Sequence, residues 1–301
     1  MPATVPRQAL VLLVILTLVW GTNWPLFPLA VREISIWTFR AVSLACAGLG
    51  LLILARIRGQ SLQIPRRYWT TVVLASLCYL VVWNIASTYS AVSIASGQSA
   101  VLGFTMPLWA ALINRVIFGE ALSWRMLIAV ALGGLAVAAL MVPGLQRYAD
   151  APLGFAAGLI AGVGWAAGTL ILKRGDVQVA SLVLTAWQML IAAIPITVIA
   201  FMLADGPWFM PDRTSILVIA WIILIPMSIG NVTWFSIVRL LPANLAGLSV
   251  IMTPVVAMLS GAFVHAEPLG PLQWLAMLCS ASALSLALLK PAAPRRDSAD
   301  H

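Results

Sequence analysis

Long apolar stretches, separated by short polar segments, run through most of the chain. A helix rises about 1.5 Å per residue, so about 20 apolar residues cross the roughly 30 Å of hydrocarbon in a bilayer. Stretches of this length predict an all-α membrane protein with ten transmembrane helices. The predicted helices cover residues 9–30, 34–55, 69–90, 95–118, 123–142, 152–172, 179–204, 214–238, 245–264 and 271–289.

One part of this pattern occurs twice. The segments 83–120 and 230–267 align without a gap when one is shifted by 147 positions. Three residue types that are rare in apolar sequence then coincide: Asn84 with Asn231, Pro107 with Pro254, and Glu120 with Glu267. An internal repeat explains this agreement better than coincidence.

A repeat of five helices has a geometric consequence. Five crossings are an odd number, so the second copy enters the membrane from the opposite side and the halves are inverted. We expect a first five-helix repeat at residues 1–147, a second, inverted repeat at 148–290 and a cytoplasmic tail at 291–301. Inverted repeats place a substrate site near the midplane between the halves and work by alternating access. The pattern favours a carrier, with a channel as the alternative that counterflow measurements would separate from it.

The composition excludes a soluble protein. Of the 301 residues, 62% are hydrophobic and 9% are charged, whereas soluble domains carry about 25% charged residues. The net charge of +8 would suit a nucleic-acid partner, but the basic residues are scattered in short loops. The expected partners are therefore the lipid bilayer and a small-molecule substrate, and no nucleic acid.

No catalytic or cofactor motif stands out. The sequence contains no phosphate-binding loop and has no room for a soluble domain, so we expect no ATPase domain in the chain. No His or carboxylate pair lies deep in a predicted span, which argues against an intramembrane enzyme. The three cysteines fall in separate apolar spans without the spacing of metal ligands. We expect no metal and no other cofactor.

The positive charges predict the orientation. Thirteen of the seventeen Lys and Arg residues fall on the side of the N-terminus, three fall on the opposite side, and Arg40 lies inside a span. By the positive-inside rule both termini face the cytoplasm. The apolar run after Arg7 continues beyond Trp24 without a good cleavage site, so we interpret it as the first span and not as a signal peptide.

Several motifs carry a family resemblance. They are the first-helix sequence WGTNW at residues 20–24, Phe39 with Arg40 early in the second helix, and the repeated Pro and Glu positions. With these motifs the chain resembles the EamA-type exporters of the drug/metabolite transporter superfamily over nearly its whole length. Within that family it is similar to bacterial exporters of aromatic amino acids. The resemblance implies a bacterial inner (plasma) membrane protein that exports aromatic and other neutral amino acids by alternating access. A broad-specificity drug or metabolite exporter is the alternative.

Aromatic and amide residues recur on single helical faces within the spans. Residues three or four positions apart share a face of a helix. Such stripes pack against neighbouring helices or line a cavity, and an amide facing lipid would be costly. The candidates for substrate binding are Trp20, Asn23 and Trp24, then Tyr79, Trp83 and Asn84, and in the second half Asn231 and Trp234. Weaker candidates are Trp165, Trp187 and Gln188.

Arg40 has two interpretations. It lies about five residues from the outer end of its predicted span, so its side chain is favoured to snorkel outward or to make a contact at the helix end. Alternatively it attracts a carboxylate of the substrate. No Asp, Glu or His lies in the middle of a predicted span, so we expect facilitated diffusion without proton coupling.

The repeated Pro and Glu positions suggest mechanical roles. Pro107 and Pro254 are expected to kink the fourth and ninth helices, either as static bends or as a pair of hinges that gate the two sides. Glu120 and Glu267 precede the fifth and tenth helices, whose free N–H groups they are expected to cap. The glycines at residues 154, 158 and 162 are expected to permit close helix packing inside the bundle.

Overall fold

The computed structural model describes residues 7–119, 124–141, 151–203, 210–240 and 253–288, and these residues form helices and turns without a strand. The helices of the first half are Arg7–Gly21, Trp24–Leu26, Phe27–Ala30, Ile36–Ile57, Arg66–Tyr68, Trp69–Ser76, Leu77–Val82, Trp83–Ser93, Ser96–Gly103, Met106–Phe118 and Trp124–Met141. Those of the second half are Pro152–Arg174, Ser181–Leu203, Arg213–Ile222, Ile223–Gly230, Asn231–Leu240, Thr253–His265 and Pro271–Leu288.

Seven helical stretches of this part are long and apolar enough to cross a membrane. They are Val11–Ala30, Ile36–Ile57, Arg66–Ser93, Ser96–Phe118, Pro152–Arg174, Ser181–Leu203 and Arg213–Trp234. Shorter apolar helices lie at Leu127–Ala136 and Thr253–His265. The chain is therefore a multi-pass membrane protein, and its described part is all-helical.

The fourth predicted helix is interrupted and not merely bent. The helix Ser96–Gly103 ends in a turn at Phe104 and Thr105, and a new helix begins at Met106. The kink predicted around Pro107 is thus corrected to a helix break, with Pro107 in the first turn of the new helix. Proline suits that position because the N–H group it lacks would have no partner there. Pro254 lies at the start of the described part of Thr253–His265, so the bend predicted there stays a prediction.

Two π-helices mark equivalent places in the two halves. One covers Leu77–Val82 and the other Ile223–Gly230, and the shift of 147 residues places the first within the second. Just after each π-helix an asparagine side chain donates a hydrogen bond back to a carbonyl of that π-helix. Asn84 Nδ2 donates to Leu80 O at 2.7 Å, and Asn231 Nδ2 donates to Met227 O at 2.8 Å. The two bonds are themselves related by the same shift, and π-helices are frequent at functional sites.

The helix Pro152–Arg174 packs tightly against the third and fourth predicted helices. A Cβ atom added to Gly154 would lie 2.5 Å from Ser93 Cβ, and one added to Gly158 would lie 2.8 Å from Leu102 Cβ. These glycines therefore serve close helix packing inside the chain, as the sequence predicts. The packing holds Trp165, on the same helix, at the centre of the bundle.

Glu267 caps a different helix from the one predicted. Its Oε1 atom accepts a hydrogen bond from Ser96 N at 2.8 Å, and Oε2 accepts one from Gly97 N at 3.4 Å. The carboxylate therefore caps the N-terminus of Ser96–Gly103 in the other half of the chain, and not the helix Pro271–Leu288 that follows it. The reason is packing, because Thr253–His265 lies against Ser96–Gly103 and brings Glu267 to its free N–H groups. Glu120 lies outside the described residues.

Candidate functional site

A cavity of about 50 Å³ lies at the centre of the bundle. Its walls come from the first four predicted helices and from the helices Pro152–Arg174, Ser181–Leu203, Ile223–Gly230 and Asn231–Leu240. Eight residues expected from the sequence line it: Trp20, Asn23, Trp24, Tyr79, Trp83, Asn84, Trp165 and Asn231. The other lining residues are Phe27, Arg40, Leu80, Phe104, Met189, Pro226 and Met227.

Trp165 is the hub of the aromatic wall. Its ring centroid lies 4.8 Å from that of Trp83, 5.5 Å from Phe104 and 5.6 Å from Trp20, all in edge-to-face geometry. Tyr79 stacks on it with centroids 6.0 Å apart. Edge-to-face pairs of this kind add stability beyond their buried area. The wall therefore presents ring faces and edges to the cavity.

A break in the first helix positions the Trp24 ring in the cavity wall. Arg7–Gly21 ends before the Thr22–Asn23 turn, and Trp24, at the start of the short helix Trp24–Leu26, is buried. The Trp24 ring packs against the Trp83 and Phe104 rings, each with a centroid separation of 6.0 Å. The equivalent helix of the second half, Pro152–Arg174, is unbroken, so the two halves contribute unequally to the cavity.

Gly103 makes room for the same rings. A Cβ atom at this position would lie 3.1 Å from Trp24 Cη2 and 3.1 Å from Trp83 Cη2. This separation is tighter than ordinary van der Waals contact, so both rings would have to shift. The glycine at the end of Ser96–Gly103 thus helps to set the width of the cavity.

Arg40 is buried and does not snorkel, which corrects the interpretation favoured from the sequence. Only 2% of the surface of Arg40 is exposed. Nε donates to Asn84 O at 3.0 Å and to Thr88 Oγ1 at 2.6 Å. Its Cζ atom lies 4.5 Å from the centre of the Phe27 ring and 4.7 Å from that of Phe39. The chain thus holds the cation between a helix carbonyl, a hydroxyl and two ring faces.

Polar atoms of the cavity are only partly satisfied. Tyr79 Oη donates to Asn231 Oδ1 at 3.3 Å, and Trp20 Nε1 donates to Pro226 O at 3.3 Å. Trp165 Nε1 and Asn23 Oδ1 are buried without a hydrogen-bond partner among the described residues. Buried polar groups of this kind are costly unless a ligand or water bonds to them.

Three predicted site residues lie away from the cavity. Trp187 Nε1 donates to Leu62 O at 2.8 Å, and its ring packs edge-on against Trp69 with centroids 5.6 Å apart, so it anchors the segment after Ile36–Ile57. Gln188 is buried outside the lining, with neither amide atom bonded within the described part. Trp234 packs behind the wall, 5.8 Å from Trp20 and 5.9 Å from Trp165 between ring centroids.

The cavity is too small for a ring in this conformation. At about 50 Å³ it is well below the roughly 150 Å³ of an engineered protein cavity that binds benzene. A substrate with an aromatic ring therefore enters only after the walls move apart. Regular α-helical hydrogen bonding is interrupted at the helix breaks and at the two π-helices that border the cavity.

One family model and several known proteins match the chain. The model of the EamA-like transporter family matches residues 7–142 and again residues 152–289, so the same model matches both halves of the chain. The Bacillus subtilis protein YvbV, named an uncharacterized transporter, is 24% identical over 266 residues, which is 87% of this chain and 85% of that protein. The uncharacterized inner membrane transporter YedA of Escherichia coli K12 is 26% identical over 266 residues, covering 87% of this chain and 84% of YedA.

A solved crystal structure supports the fold. It superposes with a TM-score of 0.67 over 93% of this chain and 96% of its own chain, at 17% sequence identity. An identity this low is evidence for the fold alone.

Proposed function

The chain belongs to the EamA-like transporter family, and on that premise we propose that it is a carrier that exports neutral amino acids with aromatic or other hydrophobic side chains. The observation that carries the proposal is the central cavity, which the rings of Trp20, Trp24, Trp83 and Trp165 line together with Arg40. Ring walls suit an apolar side chain, and the cation suits a carboxylate.

The transport mechanism we propose is alternating access between two inverted halves. In this scheme ten helices cross the inner membrane, both termini are cytoplasmic, and the cavity opens to one side at a time. The π-helices at Leu77–Val82 and Ile223–Gly230 support related halves, because the shift of 147 residues places the first within the second and both lie beside the cavity. The transport is facilitated diffusion, supported by the absence of Asp, Glu and His among the described residues that line the cavity.

A broad drug and metabolite exporter is the second candidate and is equally consistent with the family. The observation that favours it is the wall of aromatic rings, because ring faces accept many apolar ligands without fixed hydrogen bonds. The two candidates differ in their need for a carboxylate on the substrate.

Uptake into proteoliposomes tests the proposal. A panel of labelled amino acids is presented with and without a pH gradient, beside a panel of uncharged aromatic compounds. We expect saturable uptake of phenylalanine and tryptophan that is independent of the gradient. Uptake that follows hydrophobicity alone, with no preference for amino acids, would replace the proposal by the broad exporter.

Matched tryptophan variants connect the flux to the cavity. Trp83→Phe changes a ring that lies 4.8 Å from Trp165 in the cavity wall, whereas Trp187→Phe changes a ring outside the cavity. We expect the first to alter the KM for tryptophan severalfold and the second to leave KM within about twofold. The same effect from both variants would argue against the cavity as the binding site.

A further inference from the structure

Arg40 is the one charged residue among the described residues that line the cavity. No carboxylate of the described part forms an ion pair with it. Both of its hydrogen bonds are made by Nε, to Asn84 O and Thr88 Oγ1. The fork of an arginine carries further N–H groups on its Nη atoms, and these match the two oxygens of a carboxylate.

A second observation points to the same ligand. The indole N–H of Trp165 can donate a hydrogen bond but cannot accept one. Trp165 is 1% exposed, and this N–H has no hydrogen-bond partner among the described residues. A buried donor of this kind gains most from a ligand that brings an acceptor. The cavity thus combines a cation with a free donor, and its described lining contains no Asp or Glu to pair with a substrate ammonium group. The unpaired acceptor there, Asn23 Oδ1, is a neutral amide oxygen and offers an ammonium group no ion pair.

We propose that the cavity recognises an organic carboxylate, with Arg40 as the residue that selects it, and that the amino group of an amino acid contributes little to binding. The inference deepens the proposed function, on which it rests for the location of the site. Substrates are then monocarboxylates with an apolar or aromatic body, and amino acids are one class of them. An amine without a carboxylate is excluded, because it would place a second cation beside Arg40.

Arg40 also stabilises the fold, and the experiment must separate this structural role from binding of the carboxylate. Its Nε bonds join Ile36–Ile57 to Trp83–Ser93, and its guanidinium packs on Phe27 and Phe39. Arg40→Gln removes the charge and leaves a shorter side chain that ends in a neutral amide. Arg40→Lys keeps the charge and loses the planar fork, so a need for charge alone predicts partial function.

Three compounds of the same size separate the polar groups. Phenylalanine carries both groups, 3-phenylpropionate lacks the amino group, and phenethylamine lacks the carboxylate. Binding to the purified full chain in detergent is followed by intrinsic tryptophan fluorescence, which the phenyl compounds do not obscure. Flux is measured in proteoliposomes against protein-free liposomes. The melting temperature of each variant reports whether it is folded.

The expected result is binding of phenylalanine and 3-phenylpropionate with dissociation constants within about threefold of each other, and no binding of phenethylamine. Arg40→Gln should weaken both acids by about tenfold or more, as expected for loss of a charge-assisted hydrogen bond. Arg40→Lys should lie between Arg40→Gln and the wild type. Binding of phenethylamine as tight as that of phenylalanine, or affinities that Arg40→Gln leaves unchanged in a folded protein, would overturn the inference.

Failure of the proposed function has a different signature. If 3-phenylpropionate binds and crosses the membrane in an Arg40-dependent way while phenylalanine does neither, the carboxylate site stands and amino acid export falls. If phenylalanine is transported but Arg40→Gln has no effect on it, export stands and the carboxylate site falls. If none of the three compounds binds or crosses, both are refuted.

Discussion

The contact between Glu267 and the helix Ser96–Gly103 gives a prediction that can be worked through in energy. Glu267→Ala leaves the N–H groups of Ser96 and Gly97 without their carboxylate. Loss of a helix cap costs about 0.5–2 kcal/mol, and a hydrogen bond to a charged group contributes about 1.5–3 kcal/mol. One bond is short at 2.8 Å and the other long at 3.4 Å. We therefore expect Glu267→Ala to lower the free energy of unfolding by about 2 kcal/mol.

Gly261 makes this prediction specific. A Cβ atom at Gly261 would lie 2.5 Å from Glu267 Oε2, and the three nearest atoms to it all belong to Glu267. In the wild type Gly261→Ala should therefore push the carboxylate off its cap and destabilise the protein. In the Glu267→Ala background the clash is gone, and alanine is a better helix residue than glycine by about 1 kcal/mol.

A double-mutant cycle measures the coupling. Unfolding of the detergent-solubilised protein is titrated with a denaturing detergent for the wild type, both single variants and the double variant. We expect Gly261→Ala to destabilise the wild type and to be neutral or stabilising beside Glu267→Ala. Asp176→Asn, at an exposed position whose side chain bonds only to the nearby Gln178 among the described residues, serves as the control for loss of a carboxylate. An equal cost of Gly261→Ala in both backgrounds would refute the proposed geometry of the cap.

Three further predictions concern the cavity and its supports. Gly103→Ala should raise the KM for tryptophan more than for alanine in uptake assays, because the added methyl group presses on two rings of the wall; equal changes for both substrates would count against this. Asn84→Ala and Asn231→Ala each remove an equivalent bond to a π-helix, so each should lower stability by about 1 kcal/mol and speed hydrogen exchange in its π-helix; protection that stays as in the wild type would contradict it. Gly158→Leu should unfold the protein or prevent its accumulation in the membrane, since even a Cβ atom would lie 2.8 Å from Leu102; a stable, active variant would disprove the close packing.

The sequence predicts what depends on local pattern. Apolar runs locate the helices because a bilayer requires segments of a fixed length. Eight of the eleven predicted site residues line the cavity. An amide that faces lipid is costly, so it turns to the inside of the bundle, and aromatic residues at helical spacing from it share its face. Whether they bind substrate is a matter for the experiments above.

Contacts between distant segments are what the sequence does not reveal. Trp187 has the same local signature as Trp165, yet it bonds to Leu62 because the loop after Ile36–Ile57 folds over it. Glu267 caps a helix about 170 positions away, and nothing in its neighbourhood along the chain indicates that helix. Arg40 appears close enough to a helix end to snorkel, but rings and a helix carbonyl surround it in three dimensions.

The helix break at Phe104 and Thr105 is another feature that the sequence does not predict. A proline in an apolar span predicts a disturbance of the helix, but a kink and a break have the same signature in sequence. The break occurs because Thr105 Oγ1 donates to Leu102 O and the chain restarts with Pro107 in its first turn.

Trans-stimulated counterflow tests the central claim most directly. Proteoliposomes are loaded with unlabelled phenylalanine and diluted into labelled phenylalanine, without a pH gradient. We expect a transient, saturable accumulation of label above that in protein-free liposomes, because a carrier that alternates between two sides exchanges internal for external substrate. A flux that does not saturate and shows no stimulation by internal phenylalanine, or no flux at all, would contradict it.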